Sequence, residues 1–172
     1  MQNPSLDKID REILKVLQAD ARTPIVDVAE RVGLSASPSA RRVRRLESQG
    51  IILRHATVID QKAAGLPVSV FVNVTLERQV EGALATFQQA VLARPEVMEC
   101  YLMTGEADYL LRVVVADLDA YERFLIEDLT RVPGIANIRS SFALKQVAYR
   151  TELPLASSII AACTTLVAMS FA

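Results

Sequence analysis

Tryptophan is absent from this chain of 172 residues, histidine occurs once and cysteine twice, and each scarcity removes a class of function. With His55 alone, no Ser/His/Asp or Cys/His set can be assembled for nucleophilic catalysis. No second strong ligand stands near it, so no metal is expected, and nothing calls for a cofactor. Cys100 and Cys163 lie far apart without C-x-x-C spacing, which signals neither a zinc site nor a disulfide framework and fits the reduced thiols of a cytoplasmic protein. An apolar leader is missing too: the chain opens on MQNPSLDKIDRE, which argues against secretion.

What is present describes a soluble globular protein. About half the residues are apolar (51%) and 23% are charged, enough for a core and too little polarity for disorder. The length permits one large domain or two compact ones. A net charge of −1 conceals an asymmetry: residues 1–65 carry 11 Lys and Arg against 8 Asp and Glu, whereas 66–172 carry 8 against 12. The basic half is the better candidate for a polyanion. Within it, Ser35 to His55 holds Arg41, Arg42, Arg44, Arg45 and Arg54 against the single acid Glu47.

Hydrophobic spacing organises that half into helices. Ile9, Ile13, Val16 and Leu17 recur at helical intervals and predict a first helix from Asp7 to Ala19. Thr23-Pro24 reads as an N-cap followed by proline at the first helical position, opening a short second helix through Ile25, Val28 and Val32 that stops at Gly33. Ser37-Pro38 repeats the start signal for a third helix ending near Gly50. Two short helices joined by a glycine turn, the second rich in arginine, outline a helix-turn-helix. Ala40, Val43 and Leu46 are expected to face the other helices, leaving Ser37, Ser39, Arg41, Arg42 and Arg45 outward. Beyond them, Ile51 to Ile59 suggests a short two-stranded wing.

The second half changes period. Val68, Val70, Val72, Val74 and Leu76 alternate with Ser69, Phe71, Asn73 and Thr75, as a strand with one buried face does. A helix with Leu84, Phe87 and Val91 follows, then strands at 97–104 and 108–116, a helix through Tyr121, Phe124 and Leu129, and a last strand from Ile135 to about Ala148. That βαββαβ order predicts a split βαβ, ferredoxin-like sheet, with its two helices on one face and a second copy of the chain over the other. The expected organisation is a DNA-binding domain over 1–60, a linker over 61–66, a ferredoxin-like dimerisation domain over 67–155, and an uncharged tail over 156–172. From Leu155 the sequence approaches the ~20 residues of a membrane span. Its Ser and Thr content and the lack of a basic flank favour a packed extension over an anchor, and no membrane partner is expected.

The segments LDKIDREILKVLQADAR, VAERVGLSASPSARRVRRLESQGII, TGEADYLLRV and SSFALKQVAYRTELPL resemble the Lrp/AsnC family of feast/famine regulators, in order and spacing, over roughly residues 6–155. The resemblance implies an α+β protein, a winged helix-turn-helix followed by a ferredoxin-like sensor domain. It further implies an amino acid or related metabolite as effector, and dimers that gather into tetramers or octamers. Ser39 stands where the family often has a bulkier residue or cysteine, and the tail beyond Leu155 has no expected counterpart.

These readings name two sites. For double-stranded DNA, the serines at the start of the third helix (Ser35, Ser37, Ser39) suit phosphate. Arg41 and Arg42 are expected to read bases, and Arg44, Arg45, Arg54 and His55 to touch phosphates, although Arg44 could instead pair with Glu47. On periodicity alone, Thr104-Gly105-Glu106-Ala107-Asp108-Tyr109 is a plain hairpin loop. The resemblance makes it the lining of an effector pocket: Glu106 or Asp108 would meet an α-amino group, Gly105 would let a backbone amide approach a carboxylate, and Ser140 and Ser141 would add hydroxyls. An enzyme is the rival reading, since some haem-biosynthesis decarboxylases share the family's look. Their basic and histidine residues act on a tetrapyrrole, and no histidine occurs in the second half of this chain. A ligand-free assembly module is the third.

Overall fold

The computed structural model describes residues 6–78 and 80–155; the tail expected over 156–172, with Cys163, lies outside the described residues. The chain divides into two compact units at Thr57/Val58 and again at Val147/Ala148. The segment Ala148–Leu155, expected in the sensor domain, thus groups with the N-terminal helices.

Three helices build the first unit: α1 (Lys8–Ala19), α2 (Ile25–Val32) and α3 (Ala36–Ser48). A reciprocal capping box starts α1, with the Asp7 carboxylate accepting from the Asp10 N–H and the Asp10 carboxylate from the Asp7 N–H. The start of α2 differs from expectation. Pro24 is itself the N-cap and Thr23 caps nothing, its hydroxyl donating instead to the Asp20 carbonyl at 2.7 Å. Gly33 ends α2 as expected, in the left-handed conformation at φ 69°. Ser35, not Ser37, occupies the N-cap of α3, so Pro38 sits third in the helix, still inside the first turn where an N–H has no helical acceptor. Ile13, Leu14, Val28 and Leu46 form the core of the unit, and Leu155 packs against it. The returning segment is held at Leu153, whose N–H donates to Gln18 Oε1 at 2.7 Å.

The wing strands are not formed: residues 51–67 contain no strand among the described residues. Leu53, Val58 and Ile59 are exposed there. An extended ribbon needs a hydrogen-bonding partner, and none of the described residues supplies one for this segment.

The second unit is an antiparallel sheet in the order β2-β3-β1-β4, made of β1 (Val68–Leu76), β2 (Val97–Leu102), β3 (Tyr109–Val115) and β4 (Ile135–Phe142). Between them run α4 (Glu81–Leu92) and α5 (Leu118–Arg123), the latter continued by a π-helical turn over Phe124–Leu129. Strand alternation places Val70, Val72 and Val74 of β1 with Leu111 and Val113 of β3 in one core with Phe87, Tyr121, Phe124 and Leu129 of the helices. β4 is shorter than expected. Its pairing with β1 ends at Val70 and Phe142, and past that point Leu144, at 99% exposure, and Val147 are exposed. Among the described residues no helix of this unit covers the opposite face of the sheet, and Phe71 and Tyr101 are exposed there.

Candidate nucleic-acid interface and effector groove

The four arginines of RRVRR fall into two groups because 3.6 residues per turn send positions 41 and 44 to one side of α3 and 42 and 45 to another. Ser37, Arg41 and Arg44 are exposed along one stripe, and neither arginine has an ion pair among the described residues. The Arg44–Glu47 pair is not formed; Glu47 lies 3.5 Å from His55 Nε2 instead. Arg54 and His55 follow α3 in the extended segment, both exposed.

Arg42 and Arg45, expected to be free for DNA, are instead paired with acids: Arg42 is half-buried, while Arg45 stays exposed with its guanidinium bonded to Asp10. Arg42 Nη1 donates to Asp7 Oδ2 at 2.6 Å and to Asp10 Oδ1 at 2.8 Å, and Arg45 Nη2 donates to Asp10 Oδ2 at 2.5 Å. The Asp10 side chain is 1% exposed, against 27% for Arg42 and 45% for Arg45. Desolvation pushes the Asp7 carboxyl up, but the Asp10 N–H and the Arg42 guanidinium outweigh it and hold the group below the ordinary carboxylate range. The same hydrogen bonds to Asp7 and Asp10 raise Arg42. Ser39, expected on the outer arc, is fully buried with its hydroxyl donating to the Ser35 carbonyl at 3.0 Å, so it cannot reach a duplex. Its small size suits a position inside the helical unit. Asp10 was missed at the sequence level, although the capping spacing Asp7-x-x-Asp10 was there to find it.

In the second unit, a groove of about 270 Å³ opens beside the β2–β3 loop. Thr104, Glu106 and Ala107, named as effector-pocket candidates, line it; Met103, Asn73 and Thr75 of β1, and Asn137 and Arg139 of β4, were not foreseen. These four strand residues alternate with Val72, Val74 and Ile138 of the core, which sets them on the sheet's open face. Glu106 Oε2 and Arg139 Nη1 are 4.0 Å apart and both largely exposed, so one acid and one base meet solvent at the same mouth. Gly105 adopts φ 127°, a conformation that L side chains rarely take.

Three residues expected at this site serve the fold. Asp108 is buried and its Oδ2 accepts from the Leu76 N–H at 2.7 Å. Tyr109 packs on Phe87 with ring centroids 4.5 Å apart, and its hydroxyl accepts from Gln88 Nε2. Ser140 meets the Tyr121 hydroxyl at 2.5 Å on the helix-covered face. Alternation sends Tyr109 and Ser140 inward, opposite Val74 and Val72, whereas Asp108, just before β3, is drawn in by its bond to the Leu76 N–H; Ala107 and Arg139 line the groove. Ser141 is exposed on the open face opposite Phe71.

Among the described residues, no group of three His, Cys, Asp or Glu side chains is placed to hold a metal, and no helix is long and apolar enough to cross a membrane. A helix-turn-helix with an arginine stripe, joined to a four-stranded βαββαβ sheet, defines a DNA-binding regulator of the helix-turn-helix class. Comparison with known proteins agrees. Residues 6–52 match the winged helix-turn-helix DNA-binding family and residues 69–153 the Lrp/AsnC ligand binding domain. The Bkd operon transcriptional regulator of Pseudomonas aeruginosa is 48% identical over 150 residues, covering 87% of this chain and 98% of the relative. The leucine-responsive regulatory protein of Escherichia coli K12 is 39% identical over 148 residues, covering 86% and 90%. A Neisseria meningitidis transcriptional regulator, solved as an L-methionine complex, superposes with a TM-score of 0.82 at 37% identity over 87% of this chain and 97% of that one. The chain belongs to the Lrp/AsnC family. These relatives are transcription regulators, and this protein is one of that class and not an enzyme.

Proposed function

We propose that α3 enters the major groove of a duplex with Ser37, Arg41 and Arg44 foremost, that Arg54 and His55 contact phosphates beside it, and that an amino acid in the groove by the β2–β3 loop modulates binding. The observation that carries the DNA part is the exposed stripe of Arg41 and Arg44, on the second helix of the pair and without ion-pair partners among the described residues. Arginine presents a bidentate fork to guanine N7 and O6, while the N-terminal end of α3 favours phosphate. Arg42 and Arg45, held by acids, drop out of the contact set.

The effector reading is supported by charge and size. A zwitterion needs an acid for its ammonium and a base for its carboxylate; Glu106 and Arg139 supply them at one mouth, beside the amides of Asn73 and Asn137. A volume of about 270 Å³ suits a metabolite of amino-acid size rather than a drug-sized ligand. The relative solved with L-methionine supports the same ligand class. We further infer that a second copy covers the open sheet face, that such dimers join into tetramers or octamers, and that a dimer sets two recognition helices one duplex turn apart on a roughly palindromic site.

Two measurements test this. Gel shift with the gene's own upstream duplex should show salt-sensitive binding, and Arg41→Ala or Arg44→Ala should each flatten the log affinity against log salt slope by about one unit. A slope unmoved by both removes the stripe from the interface. Thermal shift across twenty amino acids should find one that stabilises the chain and alters the gel shift, and Arg139→Ala should abolish that response. No response to any amino acid leaves the ligand-free assembly module as the reading.

A further inference from the structure

Two of the four arginines, half-buried Arg42 and exposed Arg45, have their charge compensated by acids of the same unit. Asp10 lies between Arg42 and Arg45, buried, with one oxygen on each guanidinium, and Asp7 takes a second bond from Arg42. The four side chains carry two positive and two negative charges within hydrogen-bond distance, so their sum is zero. Binding affinity for a polyanion grows by releasing counterions, and a neutral cluster releases none. Drawing either arginine away would strip the buried Asp10 carboxylate of one of its two guanidinium partners, which the low-dielectric site opposes.

We propose that Asp10 is a specificity-determining residue of the DNA-binding unit: it withholds Arg42 and Arg45 from the phosphate backbone, so that α3 presents only Arg41 and Arg44. Asp10 touches no nucleic acid and acts through the arginines it holds, as a positioning residue. The consequence is discrimination. Four free guanidiniums on one short helix would grip any duplex, whereas two leave a larger share of the affinity to base contacts. The inference rests on the DNA-binding reading above.

The test uses the full chain, the upstream duplex and a random duplex of equal length, over a series of KCl concentrations. The quadruple variant Asp7→Asn, Asp10→Asn, Arg42→Gln, Arg45→Gln keeps the cluster neutral and buries no unpaired charge; its salt slope should equal that of the native chain. Asp10→Asn alone leaves the cluster at +1, and its slope should steepen by about one unit while the preference for the upstream duplex over the random one falls. Circular dichroism checks that each variant folds, and if the quadruple variant does not, the single one decides. A quadruple variant flattened by about two units, or an Asp10→Asn slope unchanged from native, overturns the proposal. The double variant Arg41→Ala, Arg44→Ala reports separately on DNA binding: if it leaves the slope unmoved, the interface itself is wrong, whatever the acidic residues do.

Discussion

Asp108 and Asp7 show how a charged side chain can serve the fold, one in each unit. The Asp108 carboxylate is buried against the Leu76 N–H at 2.7 Å, tying the start of β3 to the end of β1. Removing it leaves a buried backbone donor unmet, so Asp108→Ala should cost about 1–3 kcal/mol in urea unfolding, far more than an exposed acid in the same loop would. Glu106→Ala, at 95% side-chain exposure, is the control and should be within about 0.5 kcal/mol of native. Asp7 acts through pH. Its folded carboxyl lies below the ordinary value, so its contribution is complete above about pH 4 and is lost as the pH falls below that. A native chain should therefore lose more thermal stability between neutral pH and about pH 3 than Asp7→Asn does, by less than about 1 kcal/mol because the site is half exposed. Equal losses in the two proteins would show that Arg42 does not stabilise the folded Asp7 carboxylate.

Among the elements, the β2–β3 loop and α3 are positioned by different forces. Gly105 turns the loop at φ 127° with open space where a Cβ would stand, so an alanine there meets backbone strain and no clash. Gly105→Ala should destabilise by about 1–3 kcal/mol, or else rearrange the loop. Either outcome should weaken the amino-acid response in thermal shift while leaving the salt slope of DNA binding intact. α3 is fixed by Leu46 in the core and by the Asp10 pairs at its side. Its element type and arginine content were readable from spacing. Its start was displaced by two residues, because Ser35 and Ser37 offer equal capping chemistry and only the turn from Gly33 selects between them. Periodicity also foresaw every strand of the sheet, but not where β4 ends: its register with β1 stops at Val70 and Phe142, although β1 itself runs on to Val68. The two strands expected over 51–59 are not formed among the described residues, because extended propensity is local and a pairing partner is not.

For the molecule as a whole, the uncovered sheet face is the feature with the largest consequence. Phe71 and Tyr101 are exposed there, around an Arg112–Glu99 pair at 2.6 Å. If a second copy seats on this face, Phe71→Glu should shift the chain toward the monomer mass in light scattering and weaken binding to a two-half-site duplex far more than to a single half-site. A monomeric native chain, or a Phe71→Glu variant that stays fully assembled, would remove the dimer from the proposal. The return of residues 148–155 to the helical unit belongs to this scale too. An uncharged Leu155 beside an apolar tail reads the same whether it packs on a sheet or on helices.

The order of helices and strands, the basic half, and the class of regulator follow from residue types at their spacings, because periodicity and capping are local properties of the chain. Which arginines are left without acid partners among the described residues, which acids hold the others, and which strand residues line the groove depended on side chains brought together from distant positions. Asp10 and Arg45 are 35 residues apart in the sequence and 2.5 Å apart in the fold, and no local pattern encodes that distance.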